Sequence, residues 1–270
     1  MRALLPLALF ACTLAASAQE TTPTAEQLAH LPQPELYDQP LATRLQQVAD
    51  QAHALRADLP SFTCKEEGVS QVLRNDEVRK EVAFTATIRA VRLPDGRIEE
   101  TQNLVTVNGK PANKHSSLPY NVHDAFTRVL TYGSAQYQPC YHYELDPRDA
   151  HRIVFHSRRP FNLACGNFPG TEGLIVFDDA GQVMHVERAI PPVESEDWPV
   201  PFAAVDMGTV QLGEKSYRLA QRLESERVEG KDTLREDVKF TECKLFTTSI
   251  RLLPGEEVPE ENSPAPLKPR

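Results

Sequence analysis

Between residues 41 and 55 apolar side chains recur at helical spacing. Leu41, Leu45, Val48, Ala52 and Leu55 share one face, while Arg44, Gln47, Asp50, Gln51 and Arg56 fall largely off it. This spacing predicts a helix over 41–57, stopped by Pro60. From Ser61 the period drops to two. Val82, Phe84, Ala86, Ile88 and Ala90 alternate with Ala83, Thr85, Thr87 and Arg89, as in a half-buried strand. Pro94-Asp95-Gly96 turns the chain, and a second run over 97–107 stops at Asn108-Gly109. Asn and Gly accept the positive φ angles of a type I′ turn, so two consecutive antiparallel hairpins are expected rather than crossover units.

Residues 121–132 interrupt the strands and read as a second helix. Asn121 would cap it, Asp124 lies near its positive end, Val122, Phe126, Val129 and Leu130 form its stripe, and Gly133 ends it. Strand patterns resume at 140–145, 152–156, 173–177 and 183–190, the last two joined by Asp178-Asp179-Ala180-Gly181. A loop with four prolines and the only Trp, Trp198, is expected over 191–205. Strands return at 209–212, 216–226 and 234–252, with Gly213 and Gly230 at the turns, and no internal repeat is seen. Strands in sequence, hairpin turns and two helices predict an α+β fold: a large curved antiparallel β-sheet, a half-barrel-like meander, with a few covering helices.

The two ends carry different signals. Met1-Arg2 is followed by an uncharged apolar run over 3–15 and by Ala16-Ser17-Ala18, a small-x-small pattern that places signal-peptide cleavage before Gln19. The run is too short to span a bilayer, so the mature chain is expected to be exported and not transmembrane, periplasmic or extracellular. Leu9-Phe10-Ala11-Cys12 also resembles a lipobox, but Phe10 is bulky for its position and the apolar run ahead of it is very short. The expected organisation is a signal peptide at 1–18, a flexible leader at 19–40, a single α+β domain at 41–253 and a disordered Pro/Glu-rich tail at 254–270.

The formal net charge of −9 argues against nucleic acid and anionic membrane as partners. Of five Cys, four remain after cleavage: Cys64, Cys140, Cys165 and Cys243. An even count in an exported chain reads as two disulfides, and the absence of a CxxC pair argues against redox or structural zinc use. Three pairings are possible. The similar segments Phe62-Thr63-Cys64-Lys65 and Phe240-Thr241-Glu242-Cys243-Lys244 favour Cys64–Cys243, leaving Cys140–Cys165 around a short excursion.

A helix leading into Phe62-Thr63-Cys64, a long meander, the aromatic segment from Tyr137 to Tyr143 and an Asp-Gly-type turn after Ile175-Val176-Phe177 resemble a family of uncharacterised exported proteins from Gram-negative soil bacteria. That architecture is similar to the periplasmic lipoprotein-carrier (LolA-like) half-barrels, in which a curved sheet holds acyl chains against covering helices. The likeness spans about residues 41–252. It implies a carrier of hydrophobic ligands and transfers no catalytic or binding motif.

No GxSxG and no glycine-rich phosphate loop occurs, and Gly133-Ser134-Ala135 reads as a helix terminus. Tyr141-His142-Tyr143 is the most suggestive histidine cluster. Period two puts both tyrosines on one face and His142 with Glu144 on the other, which fits a half-exposed strand better than a metal or base site. His151 and His156 fall on opposite faces. Asp146 with Asp149, Asp178-Asp179 and the acids at 194–197 lie in turns, where carboxylates are ordinary solvated residues. No catalytic residue, metal ligand or cofactor is assigned.

The reading is an exported non-enzymatic protein that carries or binds a lipid or another apolar ligand. The alternatives are a protein-interaction module of the cell envelope and, third, an exported hydrolase. Phe84 and Ile88, Tyr217 and Leu219, and Val238 and Phe240 each share a strand face and are the candidate lining, with Trp198 on a covering loop. The competing account is that these side chains pack against the helix as a dry core.

Overall fold

The computed structural model describes residues 30–246 apart from 95, 123–124, 127–129, 160–164, 166–169 and 191–200. The signal segment, residues 19–29 of the leader, the Trp198 loop with the acids at 194–197, and the chain beyond 246 lie outside the described residues.

Helix α1 (Gln39–Asp58) presents Leu41, Leu45, Val48, Ala49 and Ala52 to the core. Asp38 caps it, accepting the Leu41 N–H at 3.2 Å, and Pro40 sits in the first turn, where no backbone donor is needed. At the other end the Arg92 guanidinium donates to the carbonyls of Arg56 and Leu59 at 2.5 and 2.7 Å, supplying donors that the helix itself lacks there.

Among the described residues eleven strands form one antiparallel sheet: β1 (Phe62–Arg74), β2 (Glu77–Arg92), β3 (Ile98–Val107), β4 (Lys110–Pro111), β5 (Tyr141–Asp146), β6 (Asp149–Ser157), β7 (Glu172–Phe177), β8 (Val183–Ala189), β9 (Pro201–Leu212), β10 (Lys215–Glu229) and β11 (Asp232–Leu245). Their order is β4-β3-β2-β1-β11-β10-β9-β8-β7-β6-β5. The chain enters at the sheet centre and runs outward to the β4 edge. It crosses over through residues 112–140 to the β5 edge, then meanders back until β11 closes against β1. The expected α+β half-barrel meander is thus present, with one α-helix among the described residues.

Local chemistry places the turns. Asn108 and Gly109 take φ of 49° and 73°, as the hairpin signal requires. Asn75 and Asp76 do the same at 52° and 63° between β1 and β2, a turn the hydrophobic pattern passes over. Cys64 and Cys243 are joined across β1 and β11 at a bulge, where Glu242 (φ 49°) is the extra residue. Cys140 is joined to Cys165.

Two expectations are corrected. The described part of 121–132 contains no α-helical turn, and only Thr131–Gly133 winds, as a single 3₁₀ turn. The sheet takes up donors of this segment: the N–H groups of Val122 and Phe126 go to the carboxylates of Glu236 and Glu100. The loop expected over 191–205 ends sooner, because β9 begins at Pro201 and residues 202–205 pair with β10 and β8 together. Prolines nearby mask a strand that has a partner on each side.

The concave face of the sheet is covered by α1 and the crossover. Gly133 sits where a Cβ would lie 2.1 Å from Val48 Cγ1, so the crossover passes directly over the helix. The convex face is polar. There His185 bridges Asp206 and Glu187 at 2.6 and 2.8 Å, and Arg222 bridges Asp237 at 2.8 Å and also pairs with Glu224.

Candidate functional site on the concave sheet face

Strand register sorts the inward-facing residues into rows. One row is apolar: Val186, Val205, Leu223, Val238, Gly68 and Phe84, from β8 across to β2. Gly68 is required there, since a Cβ would stand 2.4 Å from Val238 Cγ1 and 3.2 Å from Phe84 Cε1. The next row toward the rim is Arg188, Ala203, Ser225, Glu236, Ser70 and Val82. On the other side of the apolar row, Glu66 pairs with Phe240 and Ala86.

Two carboxylates are therefore built into the inner face of neighbouring strands. Glu66 and Glu236 are each 1% exposed. Glu66 accepts from Gln102 Nε2 at 2.7 Å, and Gln102 in turn exchanges hydrogen bonds with Asn121 of the crossover at 2.9 and 3.2 Å. Burial pushes the Glu66 carboxyl up to about 7 against the lowering effect of Gln102. Burial pushes Glu236 up to about 8, opposed by the Val122 N–H and assisted by the charge of Glu66. Glu236 Oε2 accepts from Val122 N at 2.7 Å, while Oε1 is buried without a partner.

The crossover is tied down over this patch by backbone contacts. Ser70 Oγ donates to Tyr120 O at 2.7 Å and accepts from Tyr120 N at 2.9 Å. Phe126 N donates to the Glu100 carboxylate at 3.2 Å. These bonds seat the Phe126 ring, fully buried, at 5.1 Å from Phe62 and 4.8 Å from Phe240.

Of the candidate lining, Phe84, Ile88, Leu219, Val238 and Phe240 are buried in one continuous cluster with Leu45 and Val48 of α1 and with Phe126. Tyr217 is partly buried against that cluster, and its hydroxyl donates to Asp58 O at 3.1 Å. Trp198 lies outside the described residues. Glu66, Glu236, Ser225 and Gln102 did not emerge from hydrophobic patterning. The alternation Phe62, Cys64, Glu66, Gly68, Ser70 was the available signal, because it carries Glu66 to the face of the disulfide.

The histidine cluster is of another kind. His142 bonds Glu35 at 2.6 Å through Nδ1 and Glu144 at 3.1 Å through Nε2, with Tyr141 and Tyr143 buried on the opposite face. Glu35 also takes the Tyr37 hydroxyl at 2.9 Å and Arg158 Nε at 3.1 Å, so the described end of the leader is strapped to β5 and β6. Hydrogen bonding to Glu35 raises His142 above its usual value, chiefly against desolvation. His151 and His156 diverge: the His156 ring lies tilted beside His142, whereas His151 faces Asp179 at 3.6 Å. Asp146, Asp149 and Asp178 accept N–H groups of Arg148, His151 and Gln182, so they shape turns. Among the described residues no group of three or more His, Cys, Asp or Glu stands close enough to hold a metal ion, and no helix is long and apolar enough to cross a membrane.

No protein-family model matches the chain, and no curated protein does. Among solved structures the chain is similar to a LolA superfamily protein from Nitrosomonas europaea, at 10% identity and a TM-score of 0.28 over 76% of this chain and 94% of that one. It is similar to a DUF1329 family protein from Desulfovibrio piger at 8% identity and a TM-score of 0.31, over 77% and 94%. It is also similar to a putative outer membrane lipoprotein-sorting protein domain from Vibrio parahaemolyticus at 12% identity and a TM-score of 0.34, over 75% and 92%.

Proposed function

We propose that this protein is an exported, non-enzymatic binder or carrier of an apolar ligand, held on the concave face of its sheet beneath the crossover. The observation that carries the reading is the nature of the cover. The apolar row and the Phe62–Phe126–Phe240 cluster are closed by a segment without α-helical structure among its described residues. That segment is anchored by a few hydrogen bonds, to the buried Glu236 carboxyl, to the partly exposed Glu100 carboxylate and to Ser70. Phe126 fills the position that an acyl chain would take. A loop so anchored yields to a competing apolar group more readily than a packed helix or second sheet, and each buried CH₂ contributes about 0.8 kcal/mol. The two disulfides fit an exported protein, and the reading places it in the periplasm or outside the cell.

The test is titration with a fluorescent fatty acid, followed by native mass spectrometry. Saturable one-to-one binding is expected for the wild type, and tighter binding for Phe126→Ala, in which the plug is gone. If both proteins are folded and neither binds saturably across several chain lengths, the carrier reading falls and the envelope interaction module takes its place.

A further inference from the structure

The inner face of the sheet changes character over a single row. Val186, Val205, Leu223, Val238 and Phe84 form the apolar row, and one residue pair further along the same strands stand Arg188, Ser225, Glu236 and Ser70. Beyond Ser225 on β10, Arg227 occupies the rim of the same face, its guanidinium 5.8 Å from the centroid of the Tyr120 ring. Tyr120 is the focus of this patch. Its phenol is raised chiefly by burial, and it feels the charges of Arg227, Arg188 and Glu236 and the side chain of Ser225.

Polar atoms here are buried and unanswered. Glu236 Oε1 and Arg227 Nε have no hydrogen-bond partner, and Ser225 Oγ has none at good geometry although Tyr120 lies beside it. Ser225 and Glu236 are directly paired across β10 and β11 and are 2% and 1% exposed. A buried polar atom left without a partner costs about 1–3 kcal/mol, so three on one patch mark a place where a bound group would be stabilised. The set selects for an anion. Arg188 supplies positive charge, Arg227 adds its unpartnered Nε while its other end pairs with the exposed Glu229, the Ser225 and Tyr120 hydroxyls are donors, and a glutamic acid retaining its proton donates from its free oxygen.

We propose that Arg188, Arg227, Tyr120, Ser225 and Glu236 form the head-group site for an anionic amphiphile, a carboxylate or phosphate on an alkyl chain that lies along the apolar row. This rests on the apolar-ligand reading and specifies its chemistry: the chain replaces Phe126, and the head group reaches the rim. Val238 and Leu223 touch the first methylenes, one row below Glu236 and Ser225.

Dissociation constants for four ligands of one chain length decide it: a fatty acid, an alkyl phosphate, the neutral fatty alcohol and the alkylammonium. The wild type should bind the better anion at least roughly tenfold more tightly than the alcohol, the worth of one charge-assisted hydrogen bond. Whichever of carboxylate and phosphate binds tighter identifies the head group. Arg188→Gln with Arg227→Gln, both on the rim, should abolish that preference, bringing the affinity for the anion down to that for the alcohol. Glu236→Gln, which keeps a donor at the same place, should retain the preference. Equal binding of anion and alcohol, or tightest binding of the alkylammonium, would overturn the head-group site and leave the carrier reading standing. Failure of all four to bind would overturn both.

Discussion

The two halves of the concave face are built on opposite terms. At the β5–β6 end, Tyr132, Tyr141, Tyr143 and Phe155 stack at centroid distances of 5.3–6.2 Å, and the Tyr143 hydroxyl is answered by the Tyr132 carbonyl. Most rings meet edge to face, Tyr132 stacks on Phe155, and the Tyr143 hydroxyl is satisfied, whereas the Thr131 hydroxyl and His151 Nδ1 are buried without a partner. At the β1–β11 end the face holds two glutamates, an orphaned carboxylate oxygen and a cover pinned by side-chain-to-backbone bonds. The first half is filled mainly by rings packed on one another. The second holds the two buried carboxyl groups, a costly burial of the kind that binding surfaces tolerate more often than their scaffolds.

The largest effect expected from this contrast concerns the bridges that belong to each half. Cys64–Cys243 closes a loop of 179 residues and Cys140–Cys165 one of 25. By chain entropy, replacing the first pair with Ser should cost up to about 5 kcal/mol and the second about 3.5. Chemical denaturation of the two double variants ranks them, and equal losses would contradict the ordering.

Next come the rings. Phe155→Ala, on a strand fixed on both sides, should lose about 3–5 kcal/mol because the site cannot collapse. Phe126→Ala should lose less, since its loop can settle, and it alone should gain affinity for an alkyl chain. If Phe126→Ala proves the costlier variant, the crossover is a rigid part of the core and the comparison fails.

The carboxylates give a pH signature. Glu66 and Glu236 are raised to about 7 and about 8 from an ordinary 4.5. Between these values the unfolded chain has released protons that the folded one keeps, so folding stability falls as pH climbs from about 4.5 to about 8. Glu66→Gln and Glu236→Gln should each flatten that decline, by an amount on the order of 1 kcal/mol or more. Melting temperatures at pH 5 and pH 8 measure it, and an unchanged slope in both variants would place the ionised groups elsewhere.

The smallest effect is at the aromatic end. His142 gains its proton more readily when Glu35 is bonded to it, so the contribution of this pair is complete below the usual histidine value and is lost as pH rises through the raised one. Hydrogen exchange at residues 31–38 should quicken over that rise, and His142→Gln should show fast exchange at every pH. The global melting temperature should hardly move, because the pair is half-exposed and ties down only the end of the leader.

Local signals were legible where one short segment contains its own cause. Asp38 and Leu41 to Leu55 specify α1, Asn108-Gly109 specifies its turn, and alternation from Val82 to Ala90 specifies β2. Glu66 was hidden by its neighbours, since Lys65-Glu66-Glu67 reads as a solvated run, and Lys65 and Glu67 do pair on the outer face. Glu236 lies between Arg235 and Asp237 and was hidden in the same way. The segment over 121–132 misled for the converse reason. Its apolar spacing is helical, but its N–H groups are captured by carboxylates that arrive from β3 and β11.

Periodicity, turn residues and composition act over a few positions, so the antiparallel α+β class, the inward alternation of the strands and a cysteine set compatible with export are legible in the chain alone. The expected Cys64–Cys243 bridge already implied that the first and last long strands meet, but which residues face one another when β11 lies against β1 is set by the register of the assembled sheet. That closure sets Glu236 beside Ser70 and Ser225 and brings Tyr120 and Val122 down upon them. Those groups are separated by long stretches of chain, and what joins them is strand register, a property of the sheet as a whole. Burial then does the rest, raising two ordinary surface-type carboxyls to values that no local pattern encodes.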